Sequence, residues 1–421
     1  MLRTRSRLLL FRLPFLIIGF AASLRLSAQD PPPADYSKEP YVIEQALYKL
    51  KVENDGTSTF DAAVRVHVQS QAGLQDFGVL QFGYASATST LDVQSVRVTK
   101  PDHRIVQTPP ENILDQPAQI TREAPFYSDL KEKQVAVKGL EVGDTLEYAY
   151  RERVTMPLAP GEYWFQHSFI RVGVVLQEEL EVSVPLDRYL SANSSTVHPT
   201  VTEKGAYRVL DWKTSHLEPT SNNKKSQVEQ PDEQKPADVL LSSFRTWDEI
   251  GNWVKSLVDP QVVPTPEIKA KAAELTRDAK TDSEKIHILY DYVSLKFRYI
   301  GIDLGIGRYQ PHSAADVLSN GYGDCKDKHT LFSALLAAVG IKAYPALISS
   351  GADIDRNVPS PEQFNHMITA LPQEKGILYL DTTPEVAPFG LLLEHLRDKT
   401  AVVVPDSGSV QLLKTPADRC V

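Results

Sequence analysis

Apolar and polar residues alternate along the first half of the chain, from residue 41 to about residue 217. The alternation is clearest in Ala62–Val68, Leu91–Val98 and Leu180–Val184, and turns rich in Gly, Asp and Asn separate such stretches. A period of two residues is typical of strands that bury one face of a sheet. The pattern therefore predicts a β-sandwich over residues 41–219.

The hydrophobic period changes to that of helices after a polar segment. Residues 220–240 are predicted to form a linker, because the segment is rich in charged and amide side chains. Helices are then predicted at Trp247–Leu257 and Pro266–Ala279, and Thr281–Glu284 is a capping-box pattern that opens a third helix. One face of the third helix is apolar and is predicted to be core; it carries Ile286, Leu289, Tyr290, Val293 and Phe297.

A further helix starts at Cys325 and is followed by apolar runs near 341–348, 364–371 and 377–381. Helices followed by strands predict an α+β domain over residues 241–390. Residues 391–421 are predicted to be a C-terminal tail. Its apolar stretches, Ala401–Val404 and Val410–Leu413, are candidates for the first strands of a further β domain.

Cys325 lies where a glycine-containing turn becomes this helix. A helix N-terminus carries unpaired N–H groups and partial positive charge, so it favours the thiolate form of a cysteine. His366 and Asp381 follow in two predicted strands. A thiol nucleophile needs a base, and the base needs a carboxylate to orient it, so these three residues are the candidate catalytic set. The structural alternatives are a small buried cysteine, a core histidine and a turn-forming aspartate.

These residues also resemble a known family. The strings GYGDCKDKHTLFSALLAAVGIKAYPALIS, NHMITAL and LYLDTT resemble the core of the transglutaminase-like cysteine superfamily, over roughly residues 245–390. The resemblance implies a papain-like domain and acyl-enzyme chemistry on amide bonds, which is transamidation, deamidation or peptide hydrolysis. The first half, with Ala124–Asp129 and Leu140–Tyr150, resembles an uncharacterised β domain that precedes such cores in exported bacterial proteins. We interpret it as a binding or positioning module, with a purely structural partner as the alternative.

Acyl transfer also needs donors for an oxyanion. The backbone N–H of Cys325 is one candidate, and the side chains of Gln310 and Tyr299 are two more. The structural alternatives are a polar loop residue for Gln310, which precedes a proline, and a core aromatic for Tyr299.

The charged residues around the thiol are given local roles. Asp324 and Asp327 are expected to favour the helix N-terminus, Lys326 and Lys328 to face solvent, and His329 to have a helper or structural role.

Composition restricts the classes of partner. The 421 residues carry a net charge of −9, which argues against a nucleic-acid surface, and 42% of them are hydrophobic, as in ordinary globular chains. No cofactor and no metal is predicted, because no cysteine or histidine cluster has zinc-site spacing. A disulfide between Cys325 and Cys420 is the alternative to a reactive thiol.

The N-terminus has the features of an export signal. Arg3, Arg5 and Arg7 lie ahead of the apolar stretch Leu13–Ala22, and Ser27 and Ala28 supply small residues at a cleavage site, so residues 1–28 are predicted to be a signal peptide. The expected location is periplasmic or secreted, with membrane association only if the segment is uncleaved. The predicted function is an exported thiol enzyme acting on a protein or peptide substrate. The alternative is a catalytically silent binding protein with the same fold.

Overall fold

The computed structural model describes residues 35–123, 129–219, 235–301 and 306–418. The predicted signal peptide, residues 220–234 of the predicted linker, and Cys420 lie outside these ranges. From Tyr36 onward the chain forms one compact unit. Within the described ranges, no helix is both long and apolar enough to cross a membrane.

The N-terminal half is rich in strands and contains two short helices. In chain order its elements are β1 (Tyr41–Val52), β2 (Ser58–Val68), α1 (Gln71–Phe77), β3 (Val79–Ala85), β4 (Ser89–Thr99), β5 (Ile105–Gln107), β6 (Ile113–Pro117), α2 (Gln119–Glu123), β7 (Leu130–Ala136), β8 (Thr145–Val154), β9 (Trp164–His167), β10 (Val174–Pro185), β11 (Ser191–Ser194), β12 (Thr200–Lys204), β13 (Tyr207–His216) and β14 (Val239–Ser242). The predicted strands at Ala62–Val68, Leu91–Val98 and Leu180–Val184 are confirmed as parts of β2, β4 and β10.

Eight of these strands form one long sheet, in the order β12-β13-β10-β1-β2-β8-β4-β5. Two three-stranded sheets, β3-β7-β6 and β11-β14-β9, pack on it. Leu80 and Val135 of the first small sheet share a core with Val66 of the long sheet, and Leu241 of the second shares a core with Trp212. The alternating pattern thus produces two packed layers, as the predicted sandwich requires.

The second half is mixed. Its elements are α3 (Trp247–Val258), α4 (Pro266–Thr276), α5 (Asp282–Lys296), β15 (Arg298–Tyr299), α6 (Ile306–Tyr309), α7 (Ala314–Asn320), β16 (Tyr322–Gly323), α8 (Cys325–Ala338), β17 (Tyr344–Ile348), β18 (His366–Pro372), β19 (Ile377–Leu380), β20 (Thr400–Val403) and β21 (Gln411–Lys414). The last five strands form one sheet in the order β19-β18-β17-β20-β21. The predicted α+β class is confirmed.

Helix α8 is the centre of this half. Leu331 and Leu335 are fully buried between α4, α5 and α7 on one side and the sheet, through Leu371, on the other. The predicted capping box of α5 is present, since Thr281 and Glu284 bond each other's backbone N–H groups. The predicted apolar face of α5 is buried in the same core.

Two predicted boundaries differ from the structure. The candidate C-terminal strands pair within the sheet of the second half: β20 pairs with β17, and β21 pairs with β20. The predicted linker end at residue 240 falls inside β14, which pairs with β9 and β11 of the N-terminal half. A short apolar strand can pair with a sheet whose other strands are distant in sequence, and its own residue pattern does not determine which sheet it joins.

Candidate active site

The nucleophile candidate is the first residue of α8. Asp324 caps this helix: its side chain accepts from the N–H of Asp327, whose side chain accepts from the N–H of Asp324. Gly321 ends the preceding helix with a φ of 75°, a conformation that favours glycine. A Cβ on Gly323 would lie 2.6 Å from the Cβ of Asp327, so this position also requires glycine. The turn therefore delivers a half-buried, free thiol at the N-terminus of α8.

His366 and Asp381 lie on neighbouring strands beside this helix. His366 opens β18 and Asp381 directly follows β19, which pairs with β18. The Nε2 atom of His366 is 3.1 Å from Oδ2 of Asp381, and both side chains are largely buried. The other carboxylate oxygen, Oδ1, accepts from the N–H of Thr383 at 2.9 Å and from its hydroxyl at 2.8 Å.

Cys325 and Asp381 both influence the protonation of His366. Burial opposes a charge on His366, but Asp381 and a hydrogen bond with the Cys325 sulfur raise the pKa of His366 well above 6.5. Burial also opposes the charge of Asp381, yet His366 and Thr383 lower the pKa of its carboxyl below 3.8. The site is thus arranged to hold an imidazolium between a carboxylate and a sulfur, which is the charge state that a thiolate nucleophile needs.

The two side-chain candidates for oxyanion donors lie in different surroundings. Tyr299 pairs with Gly323 across β15 and β16, two residues before Cys325, and is 39% exposed. Gln310 is half-buried between α6 and Pro311. Their roles as donors stay predictions, as does the catalytic role of each member of the Cys325, His366 and Asp381 set.

Lys326 and Lys328 do not face solvent, so that expectation is wrong. Lys326 is 2% exposed and pairs with Asp324, and Lys328 is fully buried. The ammonium of Lys328 donates to the carbonyls of Ser294 at 3.3 Å and Phe297 at 2.7 Å, at the end of α5. Burial lowers the pKa of Lys328 to about 8. The reason is that α8 is surrounded on every side, so its polar residues must find partners inside the protein.

His329 is also inside. Its Nδ1 lies 2.8 Å from the hydroxyl of Thr369, and burial lowers its pKa to about 3, so it is neutral at ordinary pH. This placement agrees with the structural role expected for it.

Three supporting contacts were missed from the sequence. The N–H of His312 donates to Asp327 at 2.8 Å, and its ring Nδ1 lies 3.2 Å from the same carboxylate. The hydroxyl of Tyr290 donates to the carbonyl of Asp381 at 3.0 Å, and Thr383 holds the carboxylate as described above. The capping pattern of Asp324 and Asp327 was visible in the sequence, but no local signal marks His312.

Among the described residues no group of three or more His, Cys, Asp or Glu side chains is placed to hold a metal ion. The groups that the fold does bring together at the site are a thiol, an imidazole, a carboxylate and the backbone N–H groups of a helix start.

Comparison with protein families gives two matches. Residues 54–221 match a domain of unknown function with a solved structure, DUF3857, and residues 269–348 match the transglutaminase-like superfamily. The second half thus contains a segment that matches a transglutaminase-like core. The match includes Cys325 and helix α8 and ends before His366 and Asp381. The resemblance predicted from the sequence is confirmed for both halves.

Solved structures share the fold. A candidate protease from Parabacteroides distasonis is 17% identical, with a TM-score of 0.74 over 90% of this chain and 72% of that one. At this identity the likeness concerns the fold alone. A candidate cysteine protease from Cytophaga hutchinsonii is 13% identical over 53% of this chain and 74% of that one, and its TM-score of 0.25 carries no argument. No curated protein matches the chain.

Proposed function

We propose that this transglutaminase-like protein is an exported thiol enzyme that cleaves or transfers amide bonds through an acyl-enzyme. The observation that supports it most is the 3.1 Å contact between Nε2 of His366 and Oδ2 of Asp381, together with the influence of the Cys325 sulfur, which helps to raise the pKa of the same imidazole. Cys325 is the nucleophile, His366 is the base that takes the thiol proton and then the acid that protonates the leaving amine, and Asp381 orients the imidazole. Export rests on the arginine-led apolar segment at the N-terminus.

The reaction starts when the Cys325 thiolate attacks the amide carbonyl. The carbonyl π electrons move to oxygen, and backbone N–H groups at the start of α8 stabilise the oxyanion. The C–N bond then breaks, and the imidazolium of His366 gives its proton to the leaving amine. In the second step neutral His366 takes a proton from water or an amine, which attacks the thioester and releases the thiolate.

Hydrolysis is the favoured outcome for the second step. Hydrolysis and transamidation differ only in whether water or an amine resolves the thioester, and an exported enzyme works in abundant water. The substrate class is therefore a protein or peptide.

The experiment measures cleavage of a mixed peptide library by mass spectrometry, with the Cys325→Ala, His366→Ala and Asp381→Ala variants. We expect no covalent chemistry from the first, a loss of roughly 10⁶-fold from the second and a smaller loss of roughly 10⁴-fold from the third. The first removes the nucleophile, the second its base and the third only the orienting group.

Alkylation by iodoacetamide at about pH 6 supplies a readout that needs no substrate, since only a thiolate reacts quickly. The native Cys325 should react much faster than the same thiol in denaturant. Wild-type turnover by Cys325→Ala, or a native thiol no faster than the denatured one, would leave the catalytically silent binding protein as the better interpretation.

A further inference from the structure

Aromatic side chains from both halves meet at an apolar cluster that Cys325 also contacts. Trp164, from β9 of the N-terminal half, has its ring centroid 5.2 Å from that of Trp253 in α3 and 5.6 Å from that of Tyr309 in α6. Trp164 and Cys325 pack against the same apolar cluster, which also includes the buried Ala159 of the N-terminal half. The N-terminal half therefore reaches the surroundings of the nucleophile.

Trp164 also begins a chain of hydrogen bonds. Its indole N–H donates to the hydroxyl of Tyr309 at 3.2 Å, and that hydroxyl donates to Glu362 Oε2 at 3.3 Å. The other oxygen of Glu362 accepts from Arg308 at 2.8 Å. Burial raises the pKa of Tyr309, so its hydroxyl stays protonated and links an N–H donor to a carboxylate acceptor.

The residues at the end of this series of hydrogen bonds, Tyr309 and Glu362, each lie a few residues before a residue of the site. Tyr309 stands three residues before His312, which is bound to Asp327 in the first turn of the nucleophile helix. Glu362 lies in the 3₁₀ turn Pro361–Gln363, just ahead of His366. One link thus ties the thiol side of the site to the imidazole side. The indole of Trp164, which belongs to the N-terminal half, donates the hydrogen bond that fixes Tyr309 in this link.

We propose that Trp164 is a positioning residue for the cysteine site, supplied by the DUF3857 half. By fixing Tyr309 and Glu362 it sets the separation of Cys325 and His366, on which the ion pair between thiolate and imidazolium depends. The inference rests on the proposed function. It also gives the N-terminal half a defined role, because that half then completes the active site within one chain.

The experiment compares Trp164→Phe and Tyr309→Phe, which keep an aromatic ring and break the hydrogen-bonded link. Trp212→Phe is the matched control, because Trp212 is a fully buried indole of the same half whose N–H donates to Ser194 in another cluster. The readout is the rate of Cys325 alkylation by iodoacetamide between about pH 5 and pH 9, together with the free energy of unfolding.

We expect both link variants to lose about 10- to 100-fold in alkylation rate below neutral pH, as for a catalytic group displaced by a fraction of an ångström. Their profiles should move toward that of an ordinary thiol. Trp212→Phe should lose comparable stability and keep the wild-type profile. A general loss of packing would instead change all three variants alike.

Three results overturn the inference. If the wild-type thiol is activated and Trp164→Phe and Tyr309→Phe do not change its alkylation profile, the positioning role is wrong and the proposed function stands. The same holds if Trp212→Phe shifts the profile as much as the two link variants do. A wild-type thiol with ordinary reactivity overturns it together with the proposed function. If Trp164→Phe fails to fold, Tyr309→Phe gives the same decision, since it breaks the same link from the other side.

Discussion

Asp381 is the most constrained side chain of the site. One oxygen contacts His366 and the other accepts two hydrogen bonds from Thr383, while Tyr290 holds the backbone carbonyl of the same residue. A carboxylate fixed in this way cannot follow the imidazole if the ring rotates. It therefore selects one ring orientation, with Nε2 toward Asp381 and the other nitrogen available to the sulfur.

The coupling between His366 and Asp381 predicts a pH-dependent stability. The pKa of Asp381 is lowered below 3.8, so its contribution is present above that pH and is lost as the pH falls through the folded pKa. The pKa of His366 is raised above 6.5, so its contribution is complete below that pH and is lost as the pH rises through the folded pKa. The stabilising contributions of Asp381 and His366 are both complete only between about pH 3.8 and pH 6.5.

We expect Asp381→Asn to reduce the free energy of unfolding by about 3–5 kcal/mol near pH 5.5, because it leaves a buried imidazolium without its anion. The reduction should shrink as the pH rises through the folded pKa of His366, because the imidazole then loses its charge. Urea denaturation at about pH 5.5, 7.5 and 9.5 measures the difference. Thr383→Val is the control, since it removes a neutral partner. A difference that does not vary with pH would contradict the ion pair.

The strings that carry Cys325, His366 and Asp381 could be recognised in the sequence, and the residues that support them could not. Cys325, His366 and Asp381 each lie in a contiguous string with its own signature. Tyr290 is 91 positions from Asp381, and its hydroxyl contact depends on how α5 packs. Lys328 was misplaced for the same reason: a lysine near a helix start usually faces solvent, and only the packing of other helices around α8 buries it.

At the scale of elements, α3, α5 and α8 of the second half each begin with a capping box, but in different surroundings. Thr246 and Glu249 cap α3, and Thr281 and Glu284 cap α5, in exposed positions. Asp324 and Asp327 cap α8 in a buried position, and Asp324 also pairs with the buried Lys326. The box at α8 therefore stabilises a helix start and neutralises a charge at once.

This difference predicts unequal costs for removing two caps. Thr246→Ala should cost about 1 kcal/mol of unfolding free energy, the usual value for an N-cap. Asp324→Ala should cost about 3–5 kcal/mol more, because it also leaves the ammonium of Lys326 buried without its partner. Chemical denaturation of the two variants measures both costs.

Asp324→Asn separates the two terms at α8, since an amide oxygen still accepts from the N–H of Asp327 and only the charge is lost. Asp324→Asn should therefore lose most of the unfolding free energy that Asp324→Ala loses. Equal costs for Thr246→Ala and Asp324→Ala would show that the buried pair adds nothing.

Long periodic elements were the predictable part of the fold, and the pairing of short strands was not. The helix starting at Thr281 and strands such as β2 and β4 are specified by their own period. By contrast, β14 and β20 have four residues each, all buried, and their apolar runs fit any sheet. Their partners include strands that lie far away in the sequence, so the local pattern does not specify the pairing.

At the scale of the whole molecule, the two halves are held together by β14 and by aromatic contacts. β14 follows the predicted linker in sequence but lies between β9 and β11, with Val239 and Leu241 fully buried. The indole of Trp253 in α3 donates to the carbonyl of Leu158 in the N-terminal half at 3.2 Å. The halves are therefore joined by buried contacts as well as by the chain connection between residues 219 and 235.

We predict that a protein cut between residues 222 and 230 stays assembled. A specific protease site placed there leaves β14 on the C-terminal fragment, with both of its ladders and its buried side chains intact. Size-exclusion chromatography of the cut protein should give one peak at the uncut elution volume, and denaturing electrophoresis of that peak should show two fragments.

The variant Leu241→Asp tests whether β14 provides the attachment. It puts a carboxylate into the core that β14 shares with Trp212, where a buried unpaired charge costs several kcal/mol. In the uncut chain the covalent connection keeps the local concentration of β14 high, so the halves stay together. After cutting, that advantage is lost, and the fragments of the variant should separate while those of the wild type do not. Separation of the wild-type fragments in native buffer would mean that β14 and the aromatic contacts are weaker than their burial indicates.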